Sequence, residues 1–122
     1  MNIMVCVTSQ KNCDRLIDYG RNLLMDEDSN LLIIHIAHYE FSLMGKSEEG
    51  DALEYLYEKA LECGANLTVV RSNNIVSTLV DMCQKNNIDQ LVLGETKEMM
   101  SHNVVNGLKG KLKESMINVV PL

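Results

Sequence analysis

"LTVVRSNNIVSTLVDMCQKNNIDQLVLG", residues 67–94, changes its periodicity twice. Leu67–Val70 is a short apolar run with two β-branched valines, as expected for a strand buried on both faces. Ser72 or Asn73 can then cap a helix, and Ile75, Val76, Leu79, Val80 and Cys83 recur at helical spacing. "DQLVLG" (89–94) returns to a continuous apolar run that stops at a glycine. A strand, a helix and a second strand in this order predict a right-handed crossover between parallel neighbours.

The same rhythm extends in both directions. Upstream, Ile3–Val7 and "LLIIHIA" (31–37) predict two further buried strands. Between them Leu16, Ile17, Gly20, Leu23 and Leu24 share one helical stripe. Ala52, Leu53, Leu56, Tyr57, Ala60 and Leu61 form another stripe, which Gly64 closes as a C-terminal glycine. Downstream, a weaker helix is predicted over 104–114 and a fifth strand over "MINVV" (116–120), before Pro121. The order βαβαβαβαβ predicts one α/β domain over 1–122, its parallel sheet covered by helices on both faces. Ligands of such sheets bind outside the carboxyl ends of the strands, where the strand order reverses.

Composition narrows the partners. With 122 residues, 46% apolar and 23% charged, the chain can bury one sizeable core. A net charge of −6 argues against nucleic acid or an anionic membrane as partner, although Lys97, Lys109, Lys111 and Lys113 form a locally basic segment. No apolar run approaches the roughly 20 residues that span a bilayer. Cys6, Cys13, Cys63 and Cys83 show no metal-type spacing and read as buried thiols of a reducing, cytoplasmic compartment.

Few catalytic chemistries fit. "TSQKNCD" (8–14) lacks the glycine of a flavin-phosphate loop, and the third strand does not end in the aspartate of a phosphate-accepting receiver. "HIAH" (35–38) resembles a nucleotidyl-transferase signature but follows the wrong strand, so His35 reads as a satisfied structural histidine. Three histidines without carboxylate spacing predict neither a metal site nor a catalytic arrangement. "MMS" (99–101) reads as loop filler. More suggestive is "LVLGETKEMMSHNVVNGLKGKL" (91–112). Gly94, at a strand's carboxyl end, lets backbone approach a ligand; Gly107, at the mouth of the predicted helix, would expose amides to an anion; Lys97 could add a point charge. The same glycines could equally serve only to shape a loop.

The whole chain resembles a universal stress protein domain, and is especially similar to the version found in Kdp-type potassium sensor kinases. "IMVCVTSQKNCDRLIDYGRNLL" resembles that family's first strand, loop and helix, and "NLLIIHIAHYE" its second strand, with Ala37 and Tyr39 in the kinase-type AxY spacing. "ALECGANLTVVRSNNIVSTLVDMCQKNNIDQLVLGET" and "MINVVPL" are similar to the rest. The resemblance implies a Rossmann-like, adenine-nucleotide α-hydrolase-like three-layer α/β/α fold with strand order 3-2-1-4-5. Its ATP-binding members carry G-x-x-G-x(9)-G-[ST] after the fourth strand. This chain matches at Gly94 and Gly107 and departs at Lys97 and Leu108, which disfavours an ordinary triphosphate. The kinase-type members imply cyclic di-AMP as an alternative ligand, with Thr8, Ser9, Ala37 and Tyr39 in its binding positions. The expected function is therefore a cytoplasmic stress or regulatory module that binds ATP, AMP or cyclic di-AMP without significant turnover. The competing expectation is a non-binding interaction protein, and a homodimer through the fifth strand is compatible with both.

Overall fold

A computed structural model describes the backbone of residues 1–7, 13–24, 28–37, 46–94 and 99–121, and their side chains except at 37, 46–52 and 99–103. Strands and helices alternate as β1 (Asn2–Val7), α1 (Cys13–Asn22), β2 (Asn30–Ala37), α2 (Lys46–Cys63), β3 (Asn66–Arg71), α3 (Ile75–Lys85), β4 (Gln90–Gly94), α4 (Met99–Lys109) and β5 (Ile117–Val120). A 3-10 turn, Glu114–Met116, leads into β5. The five strands form one sheet in the order β3-β2-β1-β4-β5, every pair parallel. The chain builds outward from β1 to β3, then returns to the other side of β1 with β4. The strand order therefore reverses between β1 and β4.

Side-chain alternation along the strands splits the core into two layers. Ile3, Val5 and Val7 of β1 pack with Leu31, Ile33, Val92 and Val120 against Leu16 and Ile17 of α1 and Leu56 and Ala60 of α2. Met4 and Cys6 pack with Ile34, Ile36, Leu91 and Leu93 against Leu79 and Cys83 of α3 and Leu108 of α4. This double coverage explains why β1 and β2 read as continuous apolar runs. Each fully buried Ile, Leu or Val among them contributes roughly 1.5–3 kcal/mol relative to exposure.

The helix ends follow local chemistry. Gly64 has φ +67, the left-handed conformation that suits glycine, and Ala65 N–H reaches back to the Ala60 carbonyl at 2.9 Å, closing α2. Asn87 (φ 51) plays the same part after α3, with Ile88 N–H on the Cys83 carbonyl at 2.9 Å. The cap of α3 is Asn74 rather than Ser72 or Asn73: its side-chain oxygen accepts from Ser77 N–H at 3.0 Å. Ser72 instead braces that cap, accepting from Asn74 N–H at 3.0 Å and from the Thr78 hydroxyl at 2.8 Å. Asn74→Ala is expected to lower unfolding stability by about 1 kcal/mol in urea titrations, whereas Asn73→Ala should change it by no more than a few tenths.

Four further expectations need correction. The last helix covers Met99–Lys109, not 104–114, so "MMS" is helical and Gly107 lies in the final turn rather than at the mouth. Its stripe of Val104, Val105 and Leu108 meets the core, and the N–H groups of Lys111 and Leu112 both turn back onto the Leu108 carbonyl, which ends it. Tyr57 and Leu61 are 57% and 63% exposed instead of buried. Leu56 and Ala60 take the centre of the buried face, and a residue one position on lies about 100° around the helix. On the opposite flank of α2, Tyr55 and Lys59 meet Asp14 of α1, so Tyr57 and Leu61 occupy the flank turned away from α1.

The amino end of the sheet is tied by Asn2. Its backbone N–H donates to the Asp89 carboxylate at 2.7 Å, and its side-chain amide donates to the carbonyls of Asn86 and Asn87 at 3.2 and 3.1 Å. Asn30 donates to its side-chain oxygen at 3.0 Å. These bonds lock β1 between the starts of β2 and β4.

Candidate functional site

The carboxyl ends of β1 and β4, beside the reversal of strand order, are where the topology puts a ligand crevice. Strand register aligns one transverse row of residues there. Val69 is level with His35, His35 with Val7, and Gly94 with Val120. Val5 is level with Val92, so counting two residues on brings Val7 level with Gly94. The row Val69–His35–Val7–Gly94–Val120 faces the α1–α2 side, where Val7 and Val120 join the core.

Gly94 ends β4 in this row. A Cβ there would lie 3.3 Å from both δ-carbons of Leu16, so glycine lets the end of β4 close onto α1. A Cβ at Gly107 would lie 3.0 and 3.3 Å from the two γ-carbons of Val76, so glycine also lets α4 close onto α3. Both glycines therefore have a packing role. Because Val76 is in the first turn of α3, just after β3 ends, Gly107 is carried to the end of the sheet where the strands finish. The structure thus brings Gly94 and Gly107 to the same end, but without the helix-mouth amides expected at Gly107.

Ala37 is the last residue of β2. Thr8, Ser9, Tyr39 and Lys97 lie outside the described residues. Of the locally basic segment, Lys113 immediately precedes the turn into β5, whose first residue is level with Leu91, so it sits toward the amino side of the sheet. Lys109, Lys111 and Lys113 are all exposed.

The start of α1 has its own polar group. Asp14, in the first turn, accepts from the Tyr55 hydroxyl at 2.7 and 2.8 Å and has Lys59 Nζ at 3.8 Å. The hydrogen bond to the carboxylate pushes the Tyr55 hydroxyl up to about 12. A carboxylate here already occupies the positive end of the α1 dipole, which makes this helix start unfavourable for a phosphate.

The sequence predicts a satisfied structural histidine at His35, and its Nδ1 does lie 2.9 Å from the Val7 carbonyl oxygen. Its location is the new information: it is the one polar side chain of the transverse row at the crevice end. The registers of β2 with β1 and of β1 with β4 expose that. Elsewhere, all four cysteines are free thiols. Among the described residues no three His, Cys, Asp or Glu side chains converge as metal ligands, and no helix is long and apolar enough to cross a membrane.

No protein-family model and no curated protein matches the chain. Solved structures do, and they are universal stress proteins in several cases. The hypothetical protein MJ0577 has 12% identity and a TM-score of 0.75, over 99% of this chain and 95% of that one. A universal stress protein family member from Arabidopsis thaliana with AMP bound has 15% identity and a TM-score of 0.66, over 99% and 91%. The universal stress protein from Archaeoglobus fulgidus in complex with dAMP has 15% identity and a TM-score of 0.63, over 99% and 96%. At these identities the likeness establishes the shared three-layer α/β/α fold.

Proposed function

We propose that residues 1–122 are one universal-stress-protein-like domain, a cytoplasmic regulatory module that binds an adenine nucleotide, ATP-like or cyclic di-AMP, without turning it over quickly. The observation that carries this is a fold shared over nearly the whole chain with universal stress proteins that hold AMP and dAMP. Thr8, Ser9, Ala37 and Tyr39 would meet the base and ribose. Gly94 and Lys97 would meet phosphate, with Gly107 shaping the wall by its approach to Val76. The sequence likeness to the Kdp sensor-kinase type favours cyclic di-AMP over a triphosphate, because Lys97 and Leu108 replace residues of the ATP pattern.

A thermal-shift panel of ATP, AMP, cyclic di-AMP and buffer tests the proposal. A binding nucleotide at a hundred times its dissociation constant should stabilise the fold by about 2.7 kcal/mol. No shift with any of the three at millimolar concentration would sink it. Where a shift is found, Lys97→Ala is expected to weaken binding about tenfold, the effect of losing roughly 1.4 kcal/mol; unchanged affinity in calorimetry removes Lys97 from the site.

A second reading is favoured by β5, which pairs only with β4 among the described strands and leaves Val119 39% exposed. An edge of this kind invites pairing with a second copy, and Pro121 bounds its length. The chain would then act as a homodimeric interaction protein, with or without nucleotide. Sedimentation at tens of micromolar should give a dimer; a monomer contradicts the pairing.

A further inference from the structure

The central strands place one imidazole at the carboxyl end of the sheet. His35 of β2 is level with Val7, the last residue of β1, and Val7 is level with Gly94, the last residue of β4. Every other member of that row is Val or Gly, and so has no polar side-chain atom. The His35 ring is half-buried, with Nδ1 at 2.9 Å from the Val7 carbonyl oxygen. A carbonyl can only accept, so Nδ1 carries the hydrogen and, in the neutral ring, Nε2 keeps its lone pair.

This bond acts on the strand beside the reversal of strand order. The Val7 carbonyl is the last of β1, and its direction fixes the end of the strand beside the reversal of strand order. Gly94, the last residue of β4, lies beside Val7 in the row, where a Cβ would touch Leu16 of α1. On the α1–α2 side the end of β4 therefore meets a Leu side chain, and the end of β1 meets an imidazole N–H.

We propose that His35 is a positioning residue of an adenine-nucleotide crevice, its Nδ1–H holding the Val7 carbonyl so that the end of β1 stays in the geometry the ligand needs. The inference rests on the nucleotide reading above and adds to it a residue which that reading does not use. A leucine at 35 keeps an apolar body but has no donor. An asparagine keeps a donor in the right place, because its amide nitrogen stands the same number of bonds from the backbone as Nδ1.

The test measures AMP, ATP and cyclic di-AMP affinity by calorimetry for the wild-type chain, His35→Leu and His35→Asn, with the melting temperature of each unliganded. His35→Leu is expected to bind the wild type's best nucleotide at least tenfold more weakly, and His35→Asn to recover affinity to within about threefold. If His35→Leu melts lower but binds as tightly as wild type, the histidine is merely structural and the proposal is overturned. Failure of the wild type to bind any of the three overturns the nucleotide reading itself, which the affinities of the variants cannot do. Nitrogen NMR of the wild-type chain provides a check independent of how well the variants fold. A neutral His35 protonated on Nδ1 agrees with the clamp, and one protonated on Nε2 overturns it.

Discussion

Gly20→Ala is expected to destabilise the protein by about 2 kcal/mol, lowering the melting temperature by roughly 8 °C. A methyl group at position 20 would lie 2.5 Å from Cγ2 of Val5 and 3.3 Å from Cδ1 of Leu31. Val5 is fully buried on the central strand, and its branched side chain has little freedom to rotate away. Either α1 lifts from the sheet or the strand shifts, and overpacking of this kind costs about 1–3 kcal/mol. The better helix propensity of alanine returns at most about 1 kcal/mol, so packing wins. Gly64→Ala is the control: its Cβ would meet nothing within 4 Å, and only the left-handed φ of +67 is penalised, by about 1 kcal/mol. Urea unfolding of both variants checks the ranking. An unchanged midpoint for Gly20→Ala would mean that α1 does not sit on β1 as described.

Stability is also expected to fall steeply above pH 9. Burial pushes the Cys6 thiol up to about 12, with Cys83 adding to the rise, and pushes Cys83 up to about 11, against an ordinary value of 9.0. Between those limits the folded chain keeps protons that the unfolded chain has released. The stabilisation is therefore complete below pH 9 and is lost as pH climbs through the folded values. Each thiol contributes a slope of about 1.4 kcal/mol per pH unit, so near pH 10 the two together remove about 2–3 kcal/mol. Tyr55, raised from 10.0 to about 12, joins in only above pH 10. Urea midpoints at pH 7, 8.5 and 10 in the presence of reductant give the measurement. In Cys6→Ala the cavity lowers stability at pH 7, but the alkaline slope should be shallower; an identical slope would show that the thiols are not its source.

Strands were legible because both of their faces are buried. β1 and β2 carry apolar side chains at almost every position, and a helix buried along a single stripe does not produce such a run. Helices were harder, since only one stripe of each is buried and its width depends on the sheet beneath. Tyr57 and Leu61 illustrate this: apolar in sequence, they fall on the flank of α2 turned away from α1. Asn74 outcompeted its neighbours as a cap through a bond to Ser77 that composition does not reveal. At the candidate site, Gly94 and Gly107 could be singled out as unusual, but not explained. The reasons, Leu16 and Val76, are distant in the chain and become neighbours only through the crossovers. His35 was readable as satisfied, while its place in the row at the crevice required the register of three strands.

The position of β1 has a consequence for how the chain is made. β1 is the first of the five strands to be synthesised and the middle one in the sheet, so its second neighbour, Gln90–Gly94, arrives only after most of the sequence has emerged. Until then, one edge of a strand whose residues 3–7 end up fully buried or nearly so is without its partner. Such long-range pairings close slowly, and an open apolar edge attracts other unfinished chains. Fragments ending before residue 90 should therefore aggregate rather than fold, and a ribosome-bound chain should resist protease only once β4 has cleared the exit tunnel.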